Sequence, residues 1–162
     1  MTEDEILPSE LLEKLRRRGE KIVTAESCTA GLVAHLLASV PGASDVFWGS
    51  LITYTAGAKM KLLGIPEKTL TESGEVSPET ACAMAKGALE KSGVDIAVSV
   101  TGLAGPSGDN SDTPVGTVWI GMAYKGRNAE AKSFFFRLDR NELRKKAAEK
   151  ALDEISLYID RI

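Results

Sequence analysis

Cysteine and histidine are scarce in this chain. Its 162 residues include two cysteines, Cys28 and Cys82, and a single histidine, His35. Two cysteines do not make the disulfide framework of a small secreted scaffold. One histidine and two distant cysteines offer no ligand pair at zinc spacing, so no metal site is expected. An excess of basic charge is also missing: 20 Lys and Arg stand against 23 Asp and Glu, for a net charge of −3, with no block of five like charges. The run Arg16-Arg17-Arg18 sits at the end of an expected helix, where cations suit the dipole, so nucleic acid is not an expected partner. No apolar stretch nears the roughly 18 residues that would suggest a membrane span, so no membrane partner is expected. The acidic start, Thr2-Glu3-Asp4-Glu5, is unlike a signal peptide. These absences point to a reduced, cytoplasmic protein.

What is present suffices for one ordinary domain over residues 1–162, because 43% hydrophobic residues can fill a core without disulfides or a structural metal. Ser9 to Arg18 reads as an amphipathic helix, with Ser9 as cap and Gly19 as stop. Residues 21–26 read as a strand, 29–39 as a helix, 46–55 as a strand and 57–63 as a short helix. Ser77-Pro78-Glu79 opens a helix that runs to Ser92-Gly93. Residues 95–100 form a short apolar strand, expected to be covered on both faces, and the Gly-rich segment 102–114 a loop. Two strands, 115–124 and 129–137, meet around Lys125-Gly126-Arg127-Asn128. Asp139-Arg140-Asn141-Glu142 opens the last helix as a capping box, and Leu143, Leu152, Ile155 and Tyr158 fall on its core face. This order predicts an α/β protein: a three-layer α/β/α sandwich with a mixed, mainly parallel sheet.

Chemistry concentrates where strands hand over to helices. At Thr24-Ala25-Glu26-Ser27-Cys28-Thr29-Ala30-Gly31, a hydroxyl and a thiol sit side by side before an apolar helix. Free N–H groups at a helix N-terminus favour anions and developing oxyanions, so Ser27 reads either as a nucleophile or, like Thr29, as a helix cap. A thiolate at Cys28 is a variant of the same idea, against the reading of a small buried filler. A nucleophile needs a base, and His35 lies about 12 Å along the same helix, out of hydrogen-bond reach. Lys, Tyr or a carboxylate is left, and a desolvated Lys can give up its proton. Tyr54 and Lys59, at the second junction, either face the same sheet edge as Ser27 or are an ordinary half-buried Tyr and a solvated Lys. The third junction, Val98 to Gly108, lacks the spacing of dinucleotide-binding and Walker loops, although its glycines permit close backbone approach to a ligand. All three fall where open α/β sheets bind ligands, at the carboxyl ends of strands.

These stretches resemble the CinA C-terminal domain family, whose standalone members are nicotinamide-nucleotide amidohydrolases (NMN deamidases). The likeness runs from about residue 9 to 160. It is carried by Thr24 to Thr29, Val40-Pro41-Gly42-Ala43-Ser44, Thr53-Tyr54-Thr55 with Ala58-Lys59, Gly74-Glu75-Val76-Ser77, Val100 to Pro106, Thr113 to Trp119, and Asp139-Arg140. It implies hydrolysis of nicotinamide mononucleotide (NMN) to nicotinic acid mononucleotide and ammonia, with no metal or organic cofactor. It implies Ser27 as nucleophile, Lys59 as base with Tyr54 beside it, and Thr101 and Gly102 holding substrate or oxyanion. Arg140 and Arg144 are the implied phosphate ligands. Glu26 is expected near the pyridinium cation or on a backbone group, with Cys28 and Thr29 beside the substrate. A homo-oligomer is expected, with Phe47, Trp48 and the run Phe134-Phe135-Phe136 as interface candidates; such a run must send a ring to each face of its strand. Three departures from the family's pattern stand out: Ala56-Gly57 replaces a polar pair before Lys59, Ala30 replaces a glycine, and Leu138 replaces the glycine before Asp139. The first motivates an alternative, a non-catalytic pyridine-nucleotide-binding or regulatory module of the same fold.

Overall fold

The computed structural model describes residues 5–162, so most of the acidic start, Thr2-Glu3-Asp4, lies outside the described residues. The elements in chain order are α1 (Pro8–Arg18), β1 (Ile22–Glu26), α2 (Leu32–Ala38), β2 (Phe47–Ile52), α3 (Ala56–Leu63), α4 (Glu67–Ser73), α5 (Pro78–Ser92), β3 (Ile96–Gly102), β4 (Thr117–Tyr124), β5 (Glu130–Phe135) and α6 (Arg140–Arg161). The five strands lie in the order β2-β1-β3-β4-β5. β1 pairs in parallel with β2 and β3, while β4 is antiparallel to β3 and to β5. The sheet is therefore mixed, with β4 alone running against the other four. β3 lies at its centre, and all five residues of β1, which runs between β2 and β3, are buried.

Strand alternation sorts the core into two unequal layers. Ile22, Ile96, Val98, Val100, Val118, Ile120 and Met122 turn large side chains toward α1, α2 and α6. The opposite face carries Val23, Ala25, Ala97 and Ala123, against α3, α4 and the alanine-rich α5. Small strand residues let α5 come close. A Cβ on Gly121 would fall 2.3 Å from the Ala81 carbonyl oxygen, and the buried Ser99 hydroxyl donates to that same oxygen at 2.6 Å. Together these are the three layers expected.

The local differences have local causes. α1 begins at Pro8, whose ring suits a first helical turn, and not behind Ser9. Glu10 instead reaches back to accept from the Leu7 N–H at 3.0 Å. α4 was not foreseen: its seven residues bury only Leu70, too little apolar periodicity to read. α5 opens as expected, with Ser77 Oγ accepting from the Thr80 N–H at 3.1 Å. At α6, Asp139 Oδ1 accepts from the Glu142 N–H at 3.0 Å, the forward half of the expected box. Phe134 and Phe136 stack on each other and pack on the larger core layer, while Phe135 is exposed on the edge strand β5. Trp48 is exposed on the other edge strand, β2.

Candidate active site

Ser27 follows the last residue of β1, Tyr54 lies two residues past β2, and Thr101 and Gly102 end β3. Parallel strands thus deliver all three junctions to one edge of the sheet. There they line a cleft of about 210 Å³ with Cys28, Lys59, Glu75, Val76, Ser107, Asp109 and Arg140, closed on one side by Leu103 to Gly105. A larger groove along α1 is lined by charged side chains, among them Arg16, Arg17 and Arg18, which are already in ion pairs with Glu13 and Glu20.

Lys59 is the centre of the site. Thr55 caps α3 by accepting from the Ala58 N–H at 3.2 Å, and Lys59 follows in the first turn. Helical side chains lean toward the N-terminus of their helix, which sends this one back beneath the end of β2. It is 1% exposed. Its Nζ donates to Ser27 Oγ at 3.0 Å, to the Thr53 carbonyl at 3.1 Å and to Glu75 Oε1 at 3.2 Å. Three donors meeting three acceptors fix the amine. The Ala56-Gly57 departure leaves this reach intact, because Thr55 supplies the cap.

Ser27 does not cap α2, and neither does Thr29. The cap is Glu26, fully buried, whose carboxylate accepts from the N–H groups of Gly31, Val33 and Ala34 at 2.9, 3.1 and 2.8 Å. The Thr29 hydroxyl donates to it at 2.8 Å, and the Thr24 and Ser50 hydroxyls at 3.3 Å. The anion at the helix N-terminus is therefore Glu26 itself. This corrects the expected arrangement: the amides at the start of α2 are spent on Glu26 and are not free for an oxyanion. Glu26 and Thr29 do not line the cleft. Ser27 is instead held by its own N–H, which donates to the Val100 carbonyl at 2.9 Å. The turn to α2 passes through positive φ at Ala30 (46°) and Gly31 (101°). At the first of these an alanine costs about 1 kcal/mol that a glycine would not.

The other expected residues divide. Thr101, 1% exposed, donates its hydroxyl to the Glu75 carbonyl at 2.8 Å, so that proton is unavailable to a ligand. Gly102 is a glycine for want of room: a Cβ would fall 2.9 Å from the Thr117 carbonyl and 3.2 Å from Cys28 Sγ. Arg140 lines the cleft and joins two of its walls, donating to Tyr54 Oη and to the Gly105 carbonyl, both at 2.7 Å. Arg144 does not line it: its guanidinium donates to the Cys28 and Thr29 carbonyls at 2.8 and 3.3 Å and braces the turn after Ser27. His35 is exposed on α2. Glu75, Ser107 and Asp109 were not foreseen. The signal for Glu75 lay in Gly74-Glu75-Val76-Ser77, directly before a helix cap; the other two sit in a loop without periodicity.

Burial pushes the Cys28 thiol up to about 12. It stays protonated near neutral pH and is poorly placed to act as a thiolate. Cys28 in folded protein is expected to resist iodoacetamide at pH 8 and to label only on denaturation; stoichiometric labelling of the native protein, read by mass spectrometry, would contradict this.

A sequence profile of the CinA C-terminal domain family matches residues 4–159. The chain is 45% identical over 138 residues to a CinA-like protein of Akkermansia muciniphila, covering 85% of this chain and 33% of that protein. It is 46% identical over 155 residues to a CinA-like protein of Chloroherpeton thalassium, covering 94% and 37%. The chain thus spans about a third of the length of these curated relatives. Among solved structures, a CinA superfamily protein from Klebsiella pneumoniae superposes with TM-score 0.92 at 29% identity, covering 96% of this chain and 97% of the other. The competence/damage inducible protein CihA from Agrobacterium tumefaciens superposes with TM-score 0.89 at 36% identity, covering 95% and 93%.

Proposed function

The chain belongs to the CinA C-terminal domain family, and from that premise we propose that it is a metal-independent amidohydrolase that deamidates NMN. The observation that carries the reading is the 3.0 Å hydrogen bond between the buried Lys59 Nζ and Ser27 Oγ, at the floor of the cleft. The family resemblance supplies the substrate.

In this reading Lys59 first sheds one proton to water, so that its neutral amine accepts from the Ser27 hydroxyl; Ser27 Oγ then attacks the carboxamide carbon as its proton passes to Lys59 Nζ. Lys59 returns the proton to the departing nitrogen, which leaves as ammonia, and the acyl group stays on Ser27 as an ester. Water then attacks the ester; Lys59 takes the water's proton and hands it back to Ser27 Oγ as the carboxylic acid departs. The Gly102 backbone, bare of a side chain, is the proposed contact for the oxyanion. Arg140 is the proposed phosphate ligand, with Tyr54 orienting its guanidinium. Arg144 and Glu26 act on this site through the turn that carries Ser27. No organic cofactor enters the scheme. The setting is cytoplasmic in this proposal; among the described residues no helix is long and apolar enough to cross a membrane. The exposed Trp48 and Phe135 are the surfaces on which a homo-oligomer would form.

The test is product formation from NMN, followed by mass spectrometry with ammonia counted in parallel. The parent chain is expected to form nicotinic acid mononucleotide and ammonia in equal amounts. Lys59→Met should bind NMN and lose about 10²–10⁴-fold in rate, the usual contribution of a positioned base. Binding by the parent without turnover would favour the non-catalytic module instead.

A further inference from the structure

The cleft carries charge of both signs. Lys59 and Arg140 supply the positive side, Glu75 and Asp109 the negative. Lys59 and Arg140 have places in the reaction proposed above; the carboxylates do not.

Glu75 is built into the site. Its carbonyl accepts from the Thr101 hydroxyl, and the neighbouring Gly74 carbonyl accepts from the hydroxyls of Thr80 and Ser77 at 2.6 and 3.1 Å. Val76, on its other side, is buried. The backbone is thus pinned between β3 and the start of α5, while the Glu75 side chain stays 45% exposed. Its Oε1 lies 3.2 Å from Lys59 Nζ, which itself touches Ser27 Oγ. The carboxylate therefore sits within about 6 Å of the nucleophile, inside the screening length of physiological salt. A ring that bears the scissile amide falls within the field of this charge. Asp109 adds a second negative charge: the Ser111 hydroxyl and N–H hold its carboxyl below the usual carboxylate range.

We propose that Glu75 reads the positive charge of the ring next to the reacting amide, so that the cleft selects carboxamides on a cationic pyridinium over the same amide on an uncharged ring. This rests on the amidohydrolase reading for the placement of the amide at Ser27. The substrate class is then zwitterionic: a cationic aromatic amide at the Glu75 end and an anionic group for Arg140. Charge complementarity of this kind yields specificity more than raw affinity.

The experiment compares two nucleotides that differ in ring charge: NMN, and the C-nucleotide of benzamide, which carries the same carboxamide on a neutral phenyl ring. Both are titrated calorimetrically into Ser27→Ala protein, with and without Glu75→Gln, so that turnover plays no part. Gln preserves the shape of Glu and an oxygen for Lys59. The Ser27→Ala protein should bind NMN about fivefold more tightly than the neutral analogue, the upper scale of one partly screened charge pair. Glu75→Gln should cut that preference below about threefold, chiefly by weakening NMN, and Glu75→Asp should retain most of it. A preference unchanged by Glu75→Gln, or equal losses for both nucleotides, would overturn the proposal, as would failure of either nucleotide to bind. If the preference behaves as stated but the parent releases no ammonia from NMN, the reaction is wrong and the charge reading stands.

Discussion

Ser27→Ala protein is expected to release ammonia from NMN at least about a thousandfold more slowly than the parent, with its melting temperature unchanged within a few degrees. Both halves come from the hydrogen bonds at Lys59. Removing Ser27 Oγ deletes the atom proposed to form the acyl ester, so what activity remains must come from water attacking in its place. The fold is spared because Lys59 keeps two acceptors, the Thr53 carbonyl and Glu75, so its amine is not left unpaired. The Ser27 backbone bond to Val100 is also untouched. Steady-state ammonia release and differential scanning fluorimetry, on the same preparation, check the two halves. Equal turnover by parent and variant would remove Ser27 from the reaction.

Glu26→Ala should do the reverse and strike the fold first. The change strands three backbone N–H groups at the start of α2 and the buried hydroxyl of Thr29. Each buried donor left unmade costs about 1–3 kcal/mol, and water entering the space left by the side chain recovers part of this. A net loss of about 3–5 kcal/mol is expected, which for a domain of this size lowers the melting temperature by roughly 10 °C or more. Activity should fall with it, because the turn that Glu26 organises is the one that presents Ser27. Thr29→Val, which deletes one of these donors, should cost only about 1 kcal/mol. A Glu26→Ala protein as stable as the parent would mean that the carboxylate is not the cap of α2.

Glu26 also shows where the sequence could be read and where it could not. Periodicity located every strand and most helices, since buried faces must repeat at 2 or 3.6 residues. Pro78 and Asp139 marked helix starts because their chemistry is local. The junction at Ser27 was visible as polar residues between a strand and a helix. Which of them would cap was not: Glu26, Ser27 and Thr29 compete for the same amides, and pleat alternation decides the matter by turning Glu26 toward α2. The approach of Lys59 to Ser27 was one of two readings of the second junction, and only family resemblance chose between them. The two are 32 residues apart, and only the parallel pairing of β1 with β2 brings them together. Arg144 looked from the sequence like a ligand one turn past Arg140, yet its direction is set by the Cys28 and Thr29 carbonyls, which belong to a distant segment. Glu75 precedes α5, and its value comes from meeting Lys59 across the cleft.

The most direct test of the account is to quench the parent chain with acid during NMN turnover and to locate the acyl group by peptide mass spectrometry. The Ser27–Lys59 scheme predicts a nicotinoyl-nucleotide ester on Ser27, formed in the parent and absent from Ser27→Ala. An acyl group on Cys28 or on any other residue would contradict it.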